Sequence, residues 1–176
     1  MKKYFILLVA FLCILFFSGF QSTGDWQLYT SKEGGFSIEF PGLPEEQTQN
    51  DTTDAGVPFL IHFASVAPSD NEVYMAGWID MNSFYPEDAS IQQMLENSRD
   101  GATNSMHATH VTTLATVTTG NPYIEFTFET NDLIGKDRIY LIHKFQYSII
   151  TIFSKETGIK PGADRFIASF KNIATD

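Results

Sequence analysis

The strongest constraint on this chain is a period of two. Phe36, Ile38 and Phe40 alternate with Ser37 and Glu39, and Ile124, Phe126 and Phe128 alternate with Glu125, Thr127 and Glu129. A strand sends successive side chains to opposite faces, so this pattern predicts strands with one apolar face. Lys32-Glu33-Gly34-Gly35 predicts a turn ahead of the first strand, because glycine takes positive φ at no steric cost. Pro41-Gly42-Leu43-Pro44 ends that strand, since proline has no N–H for a ladder. The stretch from Trp26 to Gln47 therefore reads as a two-stranded ribbon with a proline-punctuated exit.

The same reading extends along the chain. Gln47 to Gly56 is polar and predicts a short edge strand running into a loop. Phe59–Ala67 and Val73–Met81 predict two strands that pair as a hairpin across Pro68-Ser69-Asp70-Asn71, the second apolar on both faces and so central. Ala108–Thr119, rich in threonine and valine, Tyr123–Thr130, Arg138–His143 and Tyr147–Ser154 predict four more. A tight connection is expected near Lys144-Phe145-Gln146.

Two segments break the period. Pro86-Glu87-Asp88 leads into a run in which Ile91, Met94, Leu95, Ala102 and Met106 share one helical face. Ser90 and Gln93 match a capping box, so the run predicts a helix over Ser90–Asn104, weakened at Gly101. Phe166, Ile167, Phe170 and Ile173 have helical spacing again. Pro161 suits the start of that helix, Asp164 its first turn and Lys171 its end. The chain is thus expected to be α+β: an antiparallel sheet of about six to eight strands covered by a middle helix and a C-terminal helix, without a βαβ series.

The N-terminus reads differently. Lys2 and Lys3 precede an unbroken apolar run, Tyr4–Phe17, and then the small polar segment Ser18–Gly24. This is the layout of a secretory signal peptide over residues 1–24, with Ser22 and Gly24 placing the cut before Asp25. The run is short of the roughly 20 residues that span a bilayer. Cys13, the one cysteine, lies within it, and Ala10-Phe11-Leu12 does not suit a lipid-modified cysteine. Residues 25–176 are then expected as a single exported domain, periplasmic or extracellular, without disulfides. The formal net charge of −10 becomes −12 once Lys2 and Lys3 are removed. That acidity disfavours nucleic acids and anionic membranes as partners. A monomer is expected.

Two stretches resemble a known family. Trp26…Tyr29…Gly35-Phe36-Ser37-Ile38-Glu39-Phe40-Pro41, with Pro44 and Gln47, is similar to the opening of small exported bacterial proteins with a PsbP-like α/β/α sandwich. Ala163-Asp164-Arg165-Phe166-Ile167-Ala168-Ser169-Phe170-Lys171 resembles their closing segment. The resemblance spans Asp25–Asp176 and implies the sandwich fold and an accessory or binding role. It carries no catalytic residue to this chain.

Catalytic and metal chemistry finds little support. His107 and His110 lead into a strand, where i and i+3 face opposite sides. His62 and His143 sit among apolar neighbours. Glu125 and Glu129 share a strand face about 13 Å apart, too far for a retaining carboxylate pair, and are expected to face solvent. Glu129, Asn131, Asp132 and Asp137 cluster near a turn but match no calcium loop. No nucleophile elbow or phosphate-cradling glycine loop is present. No catalytic residue, metal site or cofactor is therefore expected. Tyr74 and Trp78 share a face of the central strand and are the candidate lining of a ligand pocket opposite the helices. The function expected is a non-enzymatic accessory or binding domain for a protein partner or small ligand. The alternatives are a carrier of an apolar ligand and a hydrolase whose site assembles only in three dimensions. The hydrolase would need a cleft uniting His62, His110 or His143 with an acidic residue.

Overall fold

The alternating segments do form strands, and the two 3.6-period segments form helices. The computed structural model describes residues 25–53, 55–86 and 88–173. The expected signal peptide at residues 1–24 lies outside the described residues, as does Glu87 in the lead-in to the first helix. In chain order the elements are β1 (Gln27–Ser31), β2 (Phe36–Phe40), β3 (Glu45–Thr52), β4 (Pro58–Ser69), β5 (Glu72–Asp80), α1 (Ile91–Ser105), β6 (His110–Val117), β7 (Tyr123–Glu129), β8 (Leu133–Ile142), β9 (Phe145–Ser154), α2 (Gly162–Ser169) and β10 (Lys171–Asn172).

The strands form two antiparallel sheets, where a single sheet was expected. Seven strands run in the order β3-β4-β5-β9-β8-β7-β6, and three form a second sheet, β1-β2-β10. The opening ribbon leaves the main sheet because Pro41 and Pro44 end its ladder and Gly42, at φ +146°, turns the chain away. The result is an α+β sandwich. One face of the main sheet carries α1, and the other carries α2 beside the small sheet.

Pleating sorts the core into two halves. On β5, Tyr74, Ala76 and Trp78 face the small sheet and α2, while Met75 and Ile79 face α1. Phe36, Ile38 and Phe40 are fully buried in the first half, where Phe36 packs edge-on to Trp78 and Tyr147. The buried Tyr147 hydroxyl donates to the Gly34 carbonyl across the layers at 2.9 Å.

Both helices differ from expectation in detail. Ser90 caps α1, accepting from the Gln93 N–H at 3.2 Å. The reciprocal half of the capping box is missing, because the Gln93 amide donates to Asn97 instead. Gly101 is buried and α1 runs unbroken past it to Ser105. The C-terminal helix stops at Ser169. Phe170 is extended (φ −60°, ψ 130°) and Lys171–Asn172 pair with Ser37 and Phe36 of β2. The small sheet offers these residues backbone partners that one more helical turn could not use, so Ile173 lies half-exposed, off any helix face. α2 packs on β2, β8 and β9. Phe126 and Phe128 of β7 point away from it, toward α1.

β8 begins five residues earlier than the expected Arg138, because Ile134–Asp137 pairs with both β7 and β9 and Leu133 with β9, despite Gly135 and the two charged residues that follow it. The β8–β9 turn falls at His143 and Lys144, both at positive φ (49° and 63°), as a two-residue hairpin turn requires.

Candidate functional site

One helix cannot cover seven strands. At about 4.8 Å per strand the main sheet is roughly 30 Å wide, against about 10 Å for a helix. α1 lies over β7 and β8, which leaves the β3–β4–β5 side of that face open beside it. A cavity of about 720 Å³ occupies this space, within the usual range for small-molecule sites. Its mouth is bordered by Gln49 of β3, by Ser105, Met106 and His107 at the end of α1, and by Thr130 and Asp132 in the β7–β8 turn. Its walls are apolar, with Ile61, Phe63, Met75, Phe128, Ile150 and Ile152 foremost. Gly77 lines it with no side chain of its own. A Cβ there would meet only ordinary contacts, 3.6 Å to the His62 carbonyl and 3.8 Å to Phe63.

The floor is polar and buried. Asp137 is 0% exposed and Gln146 1% exposed. The Ser148 hydroxyl donates to Asp137, with both carboxylate oxygens 3.1 Å away. The Ser98 hydroxyl of α1 donates to Gln146 Oε1 at 2.8 Å. Gln146 Nε2 is buried with no hydrogen-bond partner among the described residues. Burial pushes the Asp137 carboxyl up to about 7, against the opposing pull of Ser148 and the backbone N–H groups of Arg138 and Ile149.

The cations flanking Asp137 in sequence do not help it. Lys136 and Arg138 point to the opposite face, because pleating alternates them with Asp137. There both pair with Glu125, Lys136 at 2.8 Å and Arg138 more closely. This corrects the expectation of a solvent-facing Glu125, which is 7% exposed. The register sets Glu125 directly opposite Arg138, so a cross-strand ion pair takes the place of water. Burial raises the Glu125 carboxyl, but hydrogen bonds from Lys136 and Arg138 outweigh it and hold the group below the ordinary glutamate range. Glu129 pairs with Lys155 at 2.7 Å. The acidic cluster read near the turn is thereby divided. Asp137 lies at the cavity floor, Asp132 lies at its mouth, and Glu129 is held by a lysine. Among the described residues no group of three or more His, Cys, Asp or Glu is placed to hold a metal ion.

The structure does not bring Tyr74 and Trp78 together around the cavity. Tyr74 is 2% exposed, packed against Trp26, Phe153 and Phe166 under α2. Trp78 borders the cavity, but its ring packs on the other side of the sheet, edge-on to Phe36 and stacked on His62 at 5.1 Å. The His62 ring takes a 3.0 Å hydrogen bond with Thr48 and lies 3.6 Å from Glu33, beyond hydrogen-bond length. His110 and His143 are exposed, and His107 stands at the cavity rim.

Sequence reasoning missed Gln146 and Ser148. Their signal was faint but present: two polar residues at i and i+2 on one face of the otherwise apolar run FQYSIITIF.

The fold and this site define an α+β sandwich with an apolar, polar-floored cavity open beside its first helix. No family model matches the chain, and no curated protein matches its sequence. No helix among the described residues is long and apolar enough to cross a membrane.

Proposed function

We propose that this chain is an exported, monomeric, non-enzymatic binding domain, and that the cavity beside α1 takes a small, predominantly apolar molecule. The observation that carries this reading is the cavity itself: about 720 Å³ of mostly apolar space kept open between α1 and β3–β5. A sheet face of this kind is ordinarily filled by side chains, because empty apolar space costs stability. Here Gly77 adds no side chain to the lining. Export is supported by the Lys2–Gly24 pattern, and an accessory or binding role by the resemblance of the two chain ends to PsbP-like proteins. The carrier reading and the binding-domain reading converge on this cavity. The hydrolase reading is the alternative; among the described residues His62 lies 3.6 Å from the exposed Glu33 carboxylate, and neither residue lines the cavity.

The test is titration of the mature domain with N-phenyl-1-naphthylamine, an uncharged apolar fluorophore. Saturable enhancement at one site is expected. Gly77→Leu, which projects a side chain into the space, is expected to weaken it at least about tenfold while the melting temperature stays near wild type. Absence of saturable binding would overturn the reading, as would full binding by Gly77→Leu.

A further inference from the structure

We propose that the cavity selects uncharged molecules whose apolar body carries a hydrogen-bond acceptor oxygen, such as a ketone or ester, and that Gln146 is the residue that recognises it. This rests on the cavity being a ligand site. Three observations carry it.

The first is an unused donor. Gln146 is 1% exposed, and its carbonyl is fixed by Ser98 of α1. Its Nε2 has no partner among the described residues, yet Gln146 lines the cavity. A buried N–H without an acceptor is costly. Ser98 holds the amide in one orientation, so an acceptor that arrives in the cavity meets a preset donor.

The second is charge. The lining includes two carboxylates, Asp132 and Asp137, and no lysine or arginine. The nearest cations in sequence, Lys136 and Arg138, are held on the far face by Glu125. An anionic ligand would shed its water in an apolar site with carboxylates nearby and only His107, at the rim, able to carry an opposite charge.

The third concerns cations. Asp137 already bonds the Ser148 hydroxyl, and burial keeps it protonated, and so uncharged, below neutrality. An ammonium group, moreover, has no lone pair for Gln146 Nε2. A neutral acceptor oxygen is the group that completes the floor without a buried charge.

The experiment displaces N-phenyl-1-naphthylamine from the mature domain with four ten-carbon competitors: decane, 2-decanone, decanoate and decylammonium. The ketone is expected to bind at least about tenfold more tightly than decane, equivalent to about 1.4 kcal/mol. At pH 6, where Asp137 keeps its proton and decanoate is ionised, decanoate is expected to be the weakest. Gln146→Met, similar in shape but without the amide, is expected to lose the ketone preference and keep the decane affinity. The decane affinity of that variant shows that its cavity remains formed, and the wild-type series needs no variant. Equal binding of decane and ketone overturns this inference and leaves the cavity reading standing. So does a ketone preference that survives in Gln146→Met, or tightest binding by decanoate or decylammonium. If the fluorophore does not bind at all, both readings fall.

Discussion

Asp137 should make this protein less stable as the pH rises toward neutrality, the reverse of the usual behaviour of a carboxylate. Its carboxyl is completely buried and bonded by Ser148, while the Lys136 and Arg138 beside it in sequence pair with Glu125 on the opposite face. Burial moves it from 3.8 to about 7. The folded state therefore holds its proton where the unfolded chain has already released it. Below about pH 4 both states are protonated and the group costs nothing. Above about pH 7 both are ionised and the full shift, roughly 4 kcal/mol, is set against folding. Between pH 5 and pH 8 the linkage integral gives a loss of about 2.5 kcal/mol, a large share of a stability of roughly 5–15 kcal/mol. Glu125 works in the opposite sense, because its carboxyl is lowered by its ion pairs. Its stabilisation is present above the ordinary glutamate range and is lost below it, outside the window used. Urea unfolding at pH 5 and pH 8 reads the effect directly as a midpoint lower by about 1 M or more at pH 8. Asp137→Asn keeps the shape and an acceptor for Ser148 but cannot ionise. Its pH 5-to-8 loss should largely vanish, and at pH 8 it should equal or exceed wild type. Parallel pH profiles for the two proteins would refute the reasoning.

The other expectations are structural. Phe170→Ala should cost about 3–5 kcal/mol in urea unfolding, because the ring lies 4.6 Å from Tyr140, 5.3 Å from Tyr147 and 5.6 Å from Phe36; an unchanged midpoint would mean that the closing segment is not docked. Lys171→Ala, an exposed side chain on β10, should move stability by no more than about 0.5 kcal/mol. Gly135→Ala should be destabilising by about 1–3 kcal/mol or more, since its Cβ would fall 2.6 Å from the Thr151 carbonyl and 2.3 Å from the Phe128 ring; a wild-type melt rules that packing out. Protein recovered from outside the cytoplasm should begin at Asp25 by intact mass, and full-length chain held stably in the membrane would count against export.

The sequence by itself determined the elements. Local periodicity decides whether Phe36–Phe40 or Ile91–Met106 can bury its apolar side, so the strands, the middle helix and its Ser90 cap were legible, and with them the α+β class. What the chain alone could not show was which strands leave the main sheet. Lys171 and Asn172 have helical neighbours, and only the presence of β2 alongside draws them into a ladder. Pairing likewise decided the polar residues. Glu125 reads as solvent-facing until the register sets Arg138 opposite it. Asp137 reads as part of a turn until β9 brings Ser148 to it and the pleat turns Lys136 and Arg138 away. The cavity was the least legible feature of all. It arises from a mismatch of widths between one helix and a seven-stranded sheet, and the empty space is bounded by residues from β3, β4, β5, β7, β8, β9 and α1. No local pattern records such a space, because it belongs to the distances between elements and not to any one of them.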